Sequence, residues 1–77
     1  MLGDQIRKAR LDAGLTQEEL AFRAKISRQY VSLLELGEKS PTVSTLEKIA
    51  RALGVKASAL LAASEDEKAG RKTPRST

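Results

Sequence analysis

The sequence predicts an all-α domain, and three observations carry that expectation. Leu, Ala, Glu, Lys and Arg, all strong helix formers, dominate the 77 residues. Apolar residues recur at helical spacing as far as about residue 62. Each periodic run is bounded by a capping residue, a glycine or a polar turn. The only aromatic residues are Phe22 and Tyr30, so the core has to be built from Leu, Ile, Val and Ala. A chain of this length implies one domain with a small core.

Five helices follow in order. In the first, Ile6, Ala9, Arg10 and Ala13 fall at i, i+3, i+4 and i+7, with Leu2 extending the face and Gly14 stopping it. The second opens at Thr16-Gln17-Glu18-Glu19, a capping box in which hydroxyl and carboxylate satisfy each other's backbone N–H. Leu20, Ala21 and Ala24 form its inward stripe, and it ends near Lys25. Ile26 lies in the following turn. Ser27 caps the third helix, about 28–36, whose inward residues are Val31 and Leu34 and whose stop is Gly37. After the polar loop Glu38-Lys39-Ser40-Pro41-Thr42, the run Ser44-Thr45-Leu46-Glu47 has the form of a second capping box. It opens a helix faced by Leu46, Ile49, Ala50 and Leu53 and ended by Gly54. A short fifth helix is expected around Ser58 to Ala62. The domain is placed at 1–63. The segment 64–77 has no bulky apolar residue and is expected to be a disordered polar tail.

Composition narrows the chemistry. The chain has no Cys and no His, which removes disulfides, thiol nucleophiles, Ser-His-Asp triads and most transition-metal sites. No convergent carboxylate pair or phosphate-binding loop is evident, so an enzyme is not expected, nor is a cofactor, a metal or a small-molecule ligand. No apolar run reaches membrane-span length, and no signal-peptide pattern opens the chain, so a cytoplasmic setting is expected. The formal charge of +4 suits a polyanionic partner without identifying one.

The third helix is more specific. Its first turn places a guanidinium, an amide and a phenol side by side in Ser27-Arg28-Gln29-Tyr30, and a helix start has no structural need for Arg and Gln together. With Val31 and Leu34 inward, Arg28, Gln29, Ser32 and Leu33 lie on the free side. Arg can bond bidentately to guanine O6 and N7, and Gln to adenine N6 and N7, in the major groove of DNA. An aliphatic side chain such as Leu33 can touch a thymine methyl. The helix N-terminus itself favours phosphate. Small Ala21, at the fifth position from Gln17, lets the second and third helices cross closely.

These features together resemble the lambda-repressor-like, Cro/cI-type (XRE) helix-turn-helix family. The residues that carry the resemblance are LTQEELA (15–21), SRQYVSLLELG (27–37), SPT (40–42) and TLEKIARALGV (45–55). It spans most of the chain, from Leu2 to about Leu61. The SRQYVS run also resembles the small controller proteins of restriction–modification systems. The family implies a compact five-helix DNA-binding domain, with the helix-turn-helix formed by helices 2 and 3. It further implies a sequence-specific, double-stranded-DNA-binding transcriptional regulator, such as a repressor, that reads the major groove with helix 3. A homodimer on a palindromic operator is expected, because one domain of this size covers little DNA. Arg28, Gln29, Ser32 and Leu33 match the base-facing positions. Gln17 matches a position that touches phosphate and braces helix 3. Ser27, Tyr30, Lys39 and Thr42 are further candidates for phosphate contact. Arg10 and Glu35 match positions the family often pairs as ions. Val55, Leu60 and Leu61 form the expected dimer patch, by elimination and by family habit.

Two positions depart from the family pattern. Lys25 stands where the turn usually has Gly, which suggests a different turn geometry. Leu36 stands where a polar or basic residue is common. The alternative function is a protein-interaction module, such as an antitoxin or adaptor that keeps the fold without binding DNA.

Overall fold

The computed structural model describes residues 1–64. Four helices come first: α1 (Leu2–Asp12), α2 (Gln17–Ala24), α3 (Arg28–Leu36) and α4 (Val43–Leu53). A fifth, α5, covers residues 57–64. α1 packs on α3, and α2 packs on both α3 and α4. The expected polar tail lies outside the described residues from 65 onward. Ser64, placed at its start, is instead helical and buried.

The helix ends explain how so short a chain makes its turns. Thr16 caps α2 with the full capping box: its Oγ1 accepts the Glu19 N–H at 3.0 Å, and its own N–H reaches the Glu19 carboxylate at 2.8 Å. Ser27 Oγ accepts the Tyr30 N–H at 3.0 Å and so caps α3. The cap of α4 differs from the sequence expectation. Thr42, not Ser44, is the capping residue, and its Oγ1 accepts the Thr45 N–H at 3.1 Å. The third helical residue is then Thr45, whose hydroxyl accepts a hydrogen bond from Thr42 at 2.9 Å, so no carboxylate closes a box. Two overlapping hydroxyl-bearing runs, 42–45 and 44–47, compete here. Starting at Thr42 places Leu46 at the fourth helical position, directly into the core.

The C-terminal ends of α1 to α4 share one pattern. A backbone N–H just past each helix bonds a carbonyl five residues back: Leu15 to Arg10, Ile26 to Ala21, Glu38 to Leu33 and Val55 to Ala50. Three of these turns use glycines with positive φ, at Gly14, Gly37 and Gly54. The fourth uses Lys25, with φ 62° and ψ 43°. The α2–α3 turn therefore keeps the geometry that glycine would give, and Lys25 carries the left-handed strain, about 1 kcal/mol for a residue with a Cβ. The expectation of a different turn is overturned because the Ile26 bond back to Ala21 and the seating of Ile26 leave little choice of path. Lys25→Gly should stabilise the fold by up to about 1 kcal/mol, part of the gain being offset by glycine's freer unfolded chain. Urea unfolding checks this. No shift or a loss would mean the turn is not strained.

The core holds Ile6, Leu15, Leu20, Ala21, Ala24, Val31, Leu34, Leu46, Ile49, Ala50, Leu53 and Leu60. Two departures from the predicted faces stand out. Ala13, counted as inward, is exposed, because α1 has already ended at Asp12. Leu15, which the periodicity passes over, is buried. It immediately precedes the α2 cap, and Leu20 is the fourth helical residue, so the pair has the spacing of a hydrophobic staple. Ile26 and Val31 repeat that arrangement around the α3 cap. Gly3 is the second residue the periodicity missed. A Cβ there would sit 2.4 Å from the Leu34 carbonyl oxygen and 2.8 Å from that of Glu35, so α1 meets the α3 backbone at a point only glycine fits.

Candidate nucleic-acid interface

α3 presents its polar side through the arrangement of its neighbours. Val31 and Leu34 are sealed in the core, at 0% and 1% exposure. This turns Arg28 and Gln29 outward, and both are exposed. Ser32 and Leu33 are half-buried on the same side, and Leu33 stands apart from the main core. Tyr30 is half-buried and packs against the core. Ser27 is exposed and spends an oxygen lone pair on the α3 cap, leaving its hydroxyl proton available. Thr42 is exposed too, but its hydroxyl is engaged with Thr45. Lys39 is exposed in the loop after α3.

A buried polar cluster fixes where α3 points. Arg10 of α1 and Glu35 of α3 are 8% and 6% exposed. Arg10 Nε donates to Glu35 Oε2 at 2.7 Å and Nη2 donates to Oε1 at 3.1 Å, a two-pronged ion pair. The remaining guanidinium nitrogen, Nη1, donates to the Leu15 carbonyl at 2.8 Å. Gln17, at the first position of α2, donates its Nε2 to Glu35 Oε1 at 3.1 Å. One carboxylate thus joins α1, α2 and α3. Among the described residues no buried side-chain polar atom is left without a partner. The Leu15 carbonyl had no distinct sequence signal as a member of this cluster, since it joins only once the helices meet; for Gln17 the signal was the family resemblance, which implies a brace on the third helix.

The expected dimer patch is partly rearranged. Leu60 points into the core, 5% exposed, because α5 folds back over the other helices and needs an apolar residue on its inner side. Leu60 therefore cannot serve as a surface anchor. Val55 and Leu61 stay partly exposed, at 38% and 42%. Among the described residues no helix is long and apolar enough to cross a membrane, and no group of three His, Cys, Asp or Glu side chains could hold a metal ion.

Comparison with known proteins agrees with this architecture. The model of a family described as "Helix-turn-helix" matches residues 6–60. An HTH-type transcriptional regulator of Sinorhizobium fredii is 47% identical over 55 residues, which cover 71% of each chain. Among solved structures, the restriction–modification controller protein C.AhdI of Aeromonas hydrophila is similar with a TM-score of 0.75 and 34% identity, over 77% of this chain and 89% of that one. The biofilm master regulator SinR, solved in complex with DNA, is similar with a TM-score of 0.76 and 32% identity, over 79% of this chain and 98% of that one. With the capped α2 and α3, the left-handed turn between them and the exposed Arg28-Gln29 pair already in place, the matches make this chain a member of the Cro/cI-type helix-turn-helix family of DNA-binding transcriptional regulators.

Proposed function

We propose that this protein is a sequence-specific regulator that binds duplex DNA as a homodimer on a palindromic operator, with α3 in the major groove. The supporting observation is the exposure of Arg28 and Gln29 at the start of a helix whose opposite side is locked into the core and whose direction is fixed by the Arg10–Glu35–Gln17 cluster. Arg28 and Gln29 are the base readers in this reading, with Ser32 and Leu33 beside them. Ser27 and Lys39 supply phosphate contacts at the two ends of α3, and the Tyr30 hydroxyl supplies another. Gln17 spends one of its two amide N–H groups on Glu35, and the second is a further donor to phosphate. Thr42, its hydroxyl engaged in the α4 cap, is a weaker candidate than Lys39. The partly exposed Val55 and Leu61 form the dimer contact, without Leu60. The proposed setting is the cytoplasm, on the nucleoid when the protein is bound to DNA.

The test is retention of duplexes selected from a genomic pool, repeated across a range of salt concentrations. Several neutralised phosphates per dimer should give a log–log slope of about −4 or steeper. Failure to retain any duplex, or a response flat in salt, would favour the protein-interaction module instead.

A further inference from the structure

α3 carries a single free cation, Arg28, at its first position. Its other charged residue, Glu35, is buried and paired, and its last turn has no basic residue. Leu36 there is exposed and apolar. A helix laid in the major groove is flanked by phosphates along its whole length, so the C-terminal half of α3 needs positive charge from elsewhere. Lys39, exposed in the following loop, is one candidate source.

α1 offers a second source. Gly3 touches the α3 backbone at Leu34 and Glu35, and Arg7 lies one turn further along α1 from that contact. Arg7 is exposed and lines the groove between α1 and α3 together with Gln17, Ser32 and Leu36. Two of those four residues belong to α3 itself. Two carboxylates border the same groove, and both have other partners. Glu35 is bonded by Arg10 and Gln17. Asp4 lies 3.7 Å from the N-terminal ammonium.

We infer that Arg7 is a DNA phosphate contact: α1 contributes a guanidinium to the backbone strand that runs beside the C-terminal half of α3, where α3 has no cation of its own. This rests on the proposed placement of α3 in the major groove. Arg7 carries no sequence information in this role. It raises affinity for all duplexes and helps fix how deep and at what angle α3 sits.

The test compares the full chain with Arg7→Gln and Arg7→Lys on the selected duplex. Arg7→Gln should weaken binding roughly three- to tenfold and make the salt slope shallower by about one per subunit. Site preferences should stay unchanged, and Arg7→Lys should recover part of the loss. Duplexes in which one phosphate at a time is replaced by a neutral methylphosphonate locate the contact. One phosphate per half-site, flanking the bases selected by Arg28 and Gln29, should matter to the native chain and lose its effect in Arg7→Gln. Thermal melts should show Arg7→Gln as stable as the native chain. The inference is overturned if Arg7→Gln binds with unchanged affinity and slope, if it alters preference at one base position, or if every phosphate keeps its effect. A native chain that retains no duplex would overturn the proposed function as well, which separates the two failures.

Discussion

Glu35→Ala should be the most damaging single substitution, with a loss of about 3–5 kcal/mol. Against the 5–15 kcal/mol typical of a small domain, that is a large fraction of the total, enough to lower the melting temperature by roughly 10–40 °C. The loss has two sources. The Arg10 guanidinium, 8% exposed, keeps its charge and loses two of its three hydrogen bonds, and the Gln17 amide loses its partner. Arg10→Met should be milder, because Met fills similar volume and Glu35 retains the bond from Gln17. The double substitution Arg10→Met with Glu35→Leu removes both buried charges and should recover much of the loss. Recovery stops short of complete because the Leu15 carbonyl and the Gln17 amide are then unpartnered. Thermal and urea unfolding of the set decides the matter. Strictly additive effects would show that the two residues are not coupled. The folding consequence has a functional one. Glu35 ties α3 to both α1 and α2, so partly folded variants should also lose site selectivity as α3 loosens.

Arg28→Ala should have the largest effect on recognition. If Arg28 reads a base, the change costs roughly 1–3 kcal/mol on the preferred site and relaxes one position of each half-site. If it touches only phosphate, all sequences weaken alike and the salt slope becomes shallower by about one per contact. The exposed position of Arg28 at the free end of α3 favours the first outcome. Gln29→Ala should relax a neighbouring base pair. Ser27→Ala is the control: it removes the α3 cap, worth about 1 kcal/mol, and should lower the melting temperature without changing the preferred base. Selection from a randomised duplex pool with each variant gives the comparison position by position. The assignment of α3 as the reading helix fails if neither Arg28→Ala nor Gln29→Ala changes any position while both variants stay folded.

Much of the fold could be read from local signals, because these helices are specified locally. Thr16 and Ser27 cap helices through bonds to residues three positions on, and Gly37 and Gly54 end them with positive φ. Val31, Leu34, Leu46, Ile49 and Leu53 repeat at helical spacing and are all buried. The α4 cap departs from the sequence expectation for an equally local reason. Two hydroxyl residues two positions apart both offered a start, and only the seating of Leu46 in the core separates them. Arg10 and Glu35 came from family resemblance, since nothing in the local pattern links residues 25 positions apart.

The helices, most of their inward faces and the polar side of α3 are therefore encoded locally. These follow from capping, periodicity and backbone preference, which act within a few residues. Helix packing settles which groups share space. It placed Gly3 against the α3 backbone, joined Arg10, Gln17, Glu35 and the Leu15 carbonyl in one buried cluster, and brought Arg7 beside Ser32 and Leu36. It also turned Leu60 into the core and left-handed strain onto Lys25. Each of these depends on how separate helices pack, and side-chain contact across helices leaves no periodic trace in the chain.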